Sequence, residues 1–340
     1  MANYFLVCIK QLQIQTGLDI HVIHFPLNPE APFKFDLNIQ HIKFYDRSKF
    51  NSNELNKLVN ELNPALLYCS GWIDKEYVKI CTRYKNKINV VGGIDTPWLG
   101  TIKQRIHALI GSITVKKYFT HVWIAGQPQL KYAQKLGFKK NNILTGVYSA
   151  DVNYFNNIYK NNLPSKTNVL PKRFIYVGRY LEFKGVFDLW NAFIKTFDHA
   201  QHEWELWCLG TGALWDKRIQ HPKIKHCGFI QPNQMDEYLK QTSIFILPSH
   251  FEPWAVALHE FAAAGFPVIC SDKVGAVSEF LKDGQNGFIF HSGDVNALTQ
   301  GMLNFIRMEP TTVLEFGKQS NVLAKSITPE TWAATLKSLL

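Results

Sequence analysis

Short apolar runs alternate along the whole chain with segments whose apolar positions recur every third or fourth residue. Leu18 to Phe25, Ala65 to Ser70, Ile88 to Ile94, His121 to Ala125 and Ile143 to Val147 read as strands. Farther on, Arg173 to Val177, Trp204 to Leu209, Ile244 to Leu247 and Pro267 to Ser271 do the same. Helical patterns lie between them, as in Asn53 to Leu62 and Met235 to Lys240. Strands that alternate with helices predict an α/β fold with parallel sheets and crossover helices. Two such series predict two Rossmann-like domains.

The stretch Asn156 to Lys172 is rich in Asn and Lys, holds two prolines and shows no helical period, so it reads as the linker. The expected domains are residues 1–160 and 161–327, followed by a helix in 328–340. Thr328, Pro329 and Glu330 supply that helix with an N-cap, a first-position proline and a first-turn acid.

The formal net charge of +10 favours anionic partners, but the cations are dispersed and no zinc-finger or aromatic RNA-binding pattern occurs. Nucleic acid is therefore not an expected partner. Six cysteines without a C-x-x-C pair, mostly inside apolar runs, read as reduced buried thiols of a cytoplasmic protein. The opening residues do not follow the signal-peptide pattern, and no run is apolar enough to span a bilayer. Any membrane contact is then peripheral, at the inner face.

Two clusters carry candidate chemistry. In the first, a strand ends at Gly178, then Arg179 and Lys184 precede Gly185 and a helix. Two cations at the carboxyl end of a strand suit a diphosphate, although a solvated loop has the same composition. In the second, a strand ends at Pro248 and Ser249, a loop presents Glu252, and a helix starts near Ala255 and Val256 and carries Glu260. Uncapped first-turn amides form an anion site, and carboxylates can accept hydrogen bonds from sugar or ribose hydroxyls. An amphipathic helix with two solvated glutamates is the competing explanation.

Glu252 and Glu260, with seven residues between them, resemble the E-x7-E motif of retaining GT-B glycosyltransferases of the GT4 type (glycosyl transferases group 1). Gly178-Arg179 to Lys184-Gly185 is similar to that family's diphosphate element, and Gly210-Thr211-Gly212 to its G-x-G turn. Cys227-Gly228-Phe229 resembles its nucleobase strand end. Gly265 to Val268, Gly275 to Glu279 and Asp283 to Phe288 continue the likeness in order and spacing over Phe174 to Phe290. The resemblance implies two Rossmann-like domains facing across a cleft, with the last helix returning toward the first domain.

It also implies roles. Arg179 and Lys184 would hold the diphosphate of a UDP- or GDP-type sugar, assisted by the Ala255 and Val256 amides. Glu252 would orient the sugar, Glu260 the ribose, and Gly178, Gly228 and Phe229 would line the donor site. The acceptor would be a glycan or a lipid-linked molecule, and the anomeric configuration would be retained. No cofactor is implied. No D-x-D element is placed to hold a metal, and two cations already supply charge, so metal independence is expected.

The N-terminal half resembles the family less closely. Tyr148 to Phe155, with Asp151, is similar to a segment before the linker. Where many relatives end a strand in His, this chain has Asp95, followed by Trp98; Trp72, after the preceding strand, can line the same region. These three are the acceptor-side candidates. Asn3 to Thr16 reads as the family's first helix, with Phe5, Leu6, Ile9 and Leu12 as its apolar stripe and Gly17 as its stop. Leu18 to Phe25 then corresponds to the family's second strand. The expectation is a missing first strand, in a fragment or a divergent form of impaired activity. Two other functions compete: a non-catalytic nucleotide-sugar-binding protein on the same fold, and a nucleotide-cofactor oxidoreductase. Against the latter, no G-x-G-x-x-G follows a strand.

Overall fold

The computed structural model describes residues 3–26, 33, 37–111 and 113–340. They form two compact units, residues 1–149 with 327–340 and residues 150–326. No helix among the described residues is long and apolar enough to cross a membrane.

Unit 1 begins with α1 (Asn3–Thr16), followed by β1 (Ile20–His24), β2 (Ile42–Asp46), α2 (Ser52–Leu62), β3 (Leu66–Cys69) and α3 (Lys75–Tyr84). It continues with β4 (Asn89–Ile94), α4 (Ile102–Ile110), α5 (Val115–Tyr118), β5 (His121–Ile124), α6 (Gln127–Lys135) and β6 (Ile143–Thr145). Strands β3-β4-β5-β6 form a parallel sheet in that order, and β1 pairs in parallel with β2 in a separate two-stranded sheet. Among the described residues no strand joins β1 to β3. The sheet is covered by apolar faces of the crossover helices, with Leu55, Val90, Val122, Ile124 and Leu136 in one core.

The unit is completed from the far end of the chain. Helix α14 (Pro329–Lys337) opens with Thr328 accepting from the Thr331 N–H. It packs on α1, with Gln15 Nε2 donating to Glu330 O at 3.1 Å and Lys337 Nζ to Gln15 O at 3.1 Å. Trp332 is buried beside Trp123, ring centroids 4.8 Å apart, and its Nε1 donates to Val147 O at 2.8 Å.

Unit 2 runs α7 (Val152–Asn168), β7 (Arg173–Val177), α8 (Val186–His199), β8 (Glu205–Leu209), β9 (Ile224–Gly228), α9 (Met235–Gln241) and β10 (Ile244–Leu247). It then runs α10 (Val256–Ala263), β11 (Val268–Ser271), α11 (Val277–Phe280), β12 (Gly287–Phe290), α12 (Val295–Arg307) and α13 (Pro310–Ala324). Its six strands are all parallel, in the order β12-β11-β10-β7-β8-β9. Counted from β7, this is the doubly wound 3-2-1-4-5-6 sheet.

The linker reading of Asn156 to Lys172 requires correction. Most of that stretch lies in α7, and the units divide between Ser149 and Ala150 rather than after residue 160. The helical stripe escapes notice because two of its buried positions are polar: Phe155 and Ile158 are followed by Asn162 and Lys166. Asn162 donates to Asp236, and Lys166 lies over the Phe266 ring at 4.0 Å. Those contacts make the polar positions compatible with burial. Helix α14 likewise ends at Lys337, short of the expected run to Leu340.

Candidate active site

The chemistry of unit 2 gathers after β7 and β10. These strands are neighbours, yet the chain leads outward from them in opposite directions, to β8 and β9 on one side and to β11 and β12 on the other. A crevice opens beyond the carboxyl ends of a doubly wound sheet at that switch point.

After β7, a single turn of 3-10 helix, Glu182–Lys184, leads to Gly185 in the left-handed region (φ +67°). A Cβ there would fall 2.3 Å from Pro248 O, so only glycine lets this loop lie against the end of β10. The His250 N–H donates to Phe183 O at 2.7 Å and fastens the same two loops. Lys184 Nζ is thereby brought 2.8 Å from Glu252 Oε1, and both side chains are largely buried.

Glu252 is held by its main chain as well. Its N–H donates to Lys273 O and its carbonyl accepts from the Gly275 N–H, each at 3.0 Å. Ser249 Oγ donates to Glu252 Oε1 at 2.6 Å. Arg179 stands at the other end of the 3-10 loop, its carbonyl accepting from the Tyr176 hydroxyl at 3.0 Å. The Tyr176 phenol is pushed well above its ordinary range, by burial first and then by the Glu252 carboxylate, with Arg179 acting the other way. The charges of Arg179 and Glu252 thus bear on one buried side chain.

Ala255 precedes α10 in a left-handed conformation (φ 85°, ψ 88°), and the helix has neither a capping side chain nor a first-turn acid. A non-glycine residue in that region stores about 1–2 kcal/mol of strain, a feature often found at functional turns. The result is a helix N-terminus at Val256 with its positive dipole end uncompensated.

Glu260 follows one turn later. Desolvation, reinforced by the nearby Asp151 carboxylate, pushes its carboxyl up to about 7. Its neighbour His259 is fully buried. Nδ1 accepts from the Ala150 N–H at 3.1 Å, which leaves Nε2 to donate to Ala324 O at 2.8 Å. Burial lowers this imidazole to about 4, so it is a neutral tie between α10 and the ends of two other segments. Gly228 closes β9, its carbonyl accepting from the Gly210 N–H at 2.7 Å, and half-buried Phe229 follows.

The remaining candidates lie in unit 1. Asp95 follows β4. One of its carboxylate oxygens accepts from Thr96 Oγ1 at 3.2 Å and the other from the Tyr148 hydroxyl at 3.3 Å. Trp98 is engaged by Tyr132, at 5.9 Å between centroids, and by Lys135 Nζ at 4.8 Å from its ring. Trp72 packs near Phe119 and borders a surface cavity of about 440 Å³ with Lys75, Lys79 and Lys117.

Sequence reasoning assigned no role to Ser249, Tyr176 or His259, nor to Asp151 beside Glu260. His259 lies inside the E-x7-E motif and Ser249 three residues before it. What His259, Tyr176 and Asp151 do becomes visible only when α7, β7 and α10 are brought together.

Residues 171–308 match the family model described as Glycosyl transferases group 1. The matched stretch lies within unit 2. Lipopolysaccharide 1,6-galactosyltransferase of Escherichia coli is 25% identical over 283 residues, covering 77% of this chain and 71% of that protein. An uncharacterized glycosyltransferase of Methanocaldococcus jannaschii is 27% identical over 139 residues, covering 38% of this chain. That match spans only 35% of the archaeal protein. Among solved structures, Anabaena Alr3699/HepE in complex with UDP and glucose superposes with a TM-score of 0.71 at 14% identity, covering 99% of this chain and 95% of that one. Sucrose-phosphate synthase of Thermosynechococcus elongatus gives 0.73 at 14% identity, covering 98% and 91%. The chain therefore has a GT-B-type fold, and the stretch matched by the family model, residues 171–308, contains every unit 2 candidate predicted from the sequence.

Proposed function

We propose that this chain is a nucleotide-sugar-dependent glycosyltransferase whose donor binds unit 2. The observation that carries the proposal is the Lys184–Glu252 pair at the switch point of the sheet, inside the matched domain. Arg179 and Lys184 neutralise the donor diphosphate, and the α10 amides at Ala255 and Val256 add the helix dipole. As the bond from the anomeric carbon to the phosphate oxygen breaks, its electron pair passes to that oxygen. The two cations stabilise the charge that develops there. The acceptor hydroxyl oxygen forms the new bond, and its proton leaves with the nucleoside diphosphate. Glu252 orients the sugar, Glu260 accepts from the ribose hydroxyls, and Gly178, Gly228 and Phe229 border the nucleotide.

The donor is a UDP-type hexose, in keeping with the UDP complex of the Anabaena protein. The acceptor is a glycan or a lipid-linked molecule, in keeping with the lipopolysaccharide galactosyltransferase relative. Asp95 belongs to the acceptor side, transfer retains configuration, and no metal or cofactor takes part. The competing oxidoreductase and non-catalytic readings draw no support from the comparisons. The test is incubation with a panel of UDP- and GDP-sugars and glycan or lipid-linked acceptors. Acceptor-dependent release of nucleoside diphosphate is expected. Nucleotide binding without turnover across the panel would favour a binding protein instead.

A further inference from the structure

Helix α4 is packed the wrong way round for a helix in water. Its buried positions are polar or small: Gln104 is 7% exposed, and Gly111, just past the helix end, is buried. Gln104 Oε1 accepts from the N–H groups of Leu99 and Gly100, while its Nε2 donates to Pro97 O at 2.7 Å. A Cβ on Gly111 would lie 2.9 Å from Leu136 Cα, so close packing on that side depends on the glycine.

The opposite side carries the large apolar residues. Ile102 is 79% exposed, Ile106 52%, Leu109 81% and Ile110 43%, and Ile113 in the following turn is 74% exposed. At 100° per residue the four on the helix fall within about 100° of arc. Lys103 and Arg105, both exposed, fall on either side of that arc. The charge pattern around them is one-sided: from Thr96 to Ala150 the chain has eight Lys and Arg residues and no Asp or Glu.

We propose that α4 docks on an anionic lipid surface, lying in the plane of the interface. The isoleucine and leucine side chains enter the acyl boundary, while Lys103 and Arg105 extend to the phosphates on either side. Charge complementarity selects this occupant. A second copy seated on the same face would bring the same cations against one another, whereas an anionic leaflet pairs with them. The proposal does not depend on the glycosyltransferase reading, because its test involves no sugar.

The experiment is vesicle flotation of the full chain with phosphatidylcholine alone and with phosphatidylcholine mixed with phosphatidylglycerol. Binding to the anionic vesicles alone, weakened by added salt, is expected. The triple variant Ile102→Ser, Ile106→Ser, Leu109→Ser should bind about tenfold more weakly or worse. Lys103→Gln should cost about fivefold. Because the substituted side chains face solvent, melting temperatures should stay near that of the parent. The single variants Ile102→Ser and Leu109→Ser, at the two most exposed helix positions, keep the test readable if the triple variant fails to fold. Absence of binding by the parent chain overturns the proposal, as does undiminished binding by the variants. A parent dimer that becomes monomeric in the variants without any change in vesicle binding also overturns it, and assigns the face to a second copy.

Discussion

Lys184 Nζ lies 2.8 Å from Glu252 Oε1, tying the loop that follows β7 to the loop that follows β10. The carboxylate also takes the Ser249 hydroxyl on the same oxygen. A cation held in this way is already oriented when a diphosphate arrives, and little reorganisation is needed to transfer it from carboxylate to phosphate. Lys184→Ala is therefore expected to lower turnover by about a hundredfold or more, the scale of a lost electrostatic stabiliser. Initial-rate measurements with saturating donor check this, and near-parental turnover would remove Lys184 from the proposed chemistry.

Glu260 gives a pH signature. Its carboxyl titrates at about 7 in the folded chain, against an ordinary value of 4.5. Its contribution to stability is complete below the unfolded value and is lost as pH rises through about 7. Donor binding should run the other way, because ribose hydroxyls donate best to the ionised group. Nucleotide affinity of the parent chain should rise as pH increases through about 7. Glu260→Gln should bind about tenfold more weakly, with a flat profile. Calorimetric titration with nucleoside diphosphate across this range decides it; identical profiles for the two proteins would falsify the assignment.

His259 predicts the opposite linkage next door. Its folded value of about 4 lies below the ordinary 6.5, so its contribution to stability is present above pH 6.5 and is lost as pH falls through about 4. The two neighbours oppose each other in part of this window, so single variants must be compared with the parent chain. His259→Phe removes the hydrogen bonds that the ring makes with the Ala150 N–H and the Ala324 carbonyl and should cost about 2–4 kcal/mol near neutral pH. The cost should shrink on acidification, as read from urea unfolding at a series of pH values.

Gly185→Ala tests the backbone of the site. It would place a Cβ in the left-handed region, 2.3 Å from Pro248 O. A loss of about 3 kcal/mol is expected, with nucleotide binding impaired in step, because Lys184 would be displaced from Glu252. Denaturant unfolding and binding measured on the same sample check both halves of the statement.

Metal independence is tested directly. A chelator should leave turnover unchanged, and activity restored to chelated enzyme by added divalent metal would overturn that expectation.

The parallel α/β pattern is legible in the chain because buried strands such as Phe174–Val177 and Ile244–Leu247 are continuous apolar runs. Strand β2, whose sequence IKFYD mixes apolar and charged residues, offers no such signal, and its pairing with β1 follows from tertiary context. Helix α7 was hidden by Asn162 and Lys166 at buried positions. The motif residues of the site can be read one at a time, but the Lys184–Glu252 contact depends on β7 and β10 being neighbours, and strand order is not written in local periodicity. Helix α4 shows the converse: an apolar stripe read from sequence suggests burial, whereas here the stripe faces outward and a glutamine faces in.

Unit 1 is assembled from two distant stretches of chain, residues 1–149 and 327–340, whereas unit 2 is continuous. Synthesis therefore finishes the second unit before it can finish the first. While residues 150–326 emerge from the ribosome and fold, the surface around Phe5 and Trp123 that Trp332 later covers remains open to water. The nascent chain carries this apolar surface for the time taken to translate unit 2, which is the interval in which a chaperone has something to hold. Stopping translation after Ser326 should leave unit 2 folded and unit 1 prone to aggregate, although the omitted residues contain none of the proposed donor-site side chains.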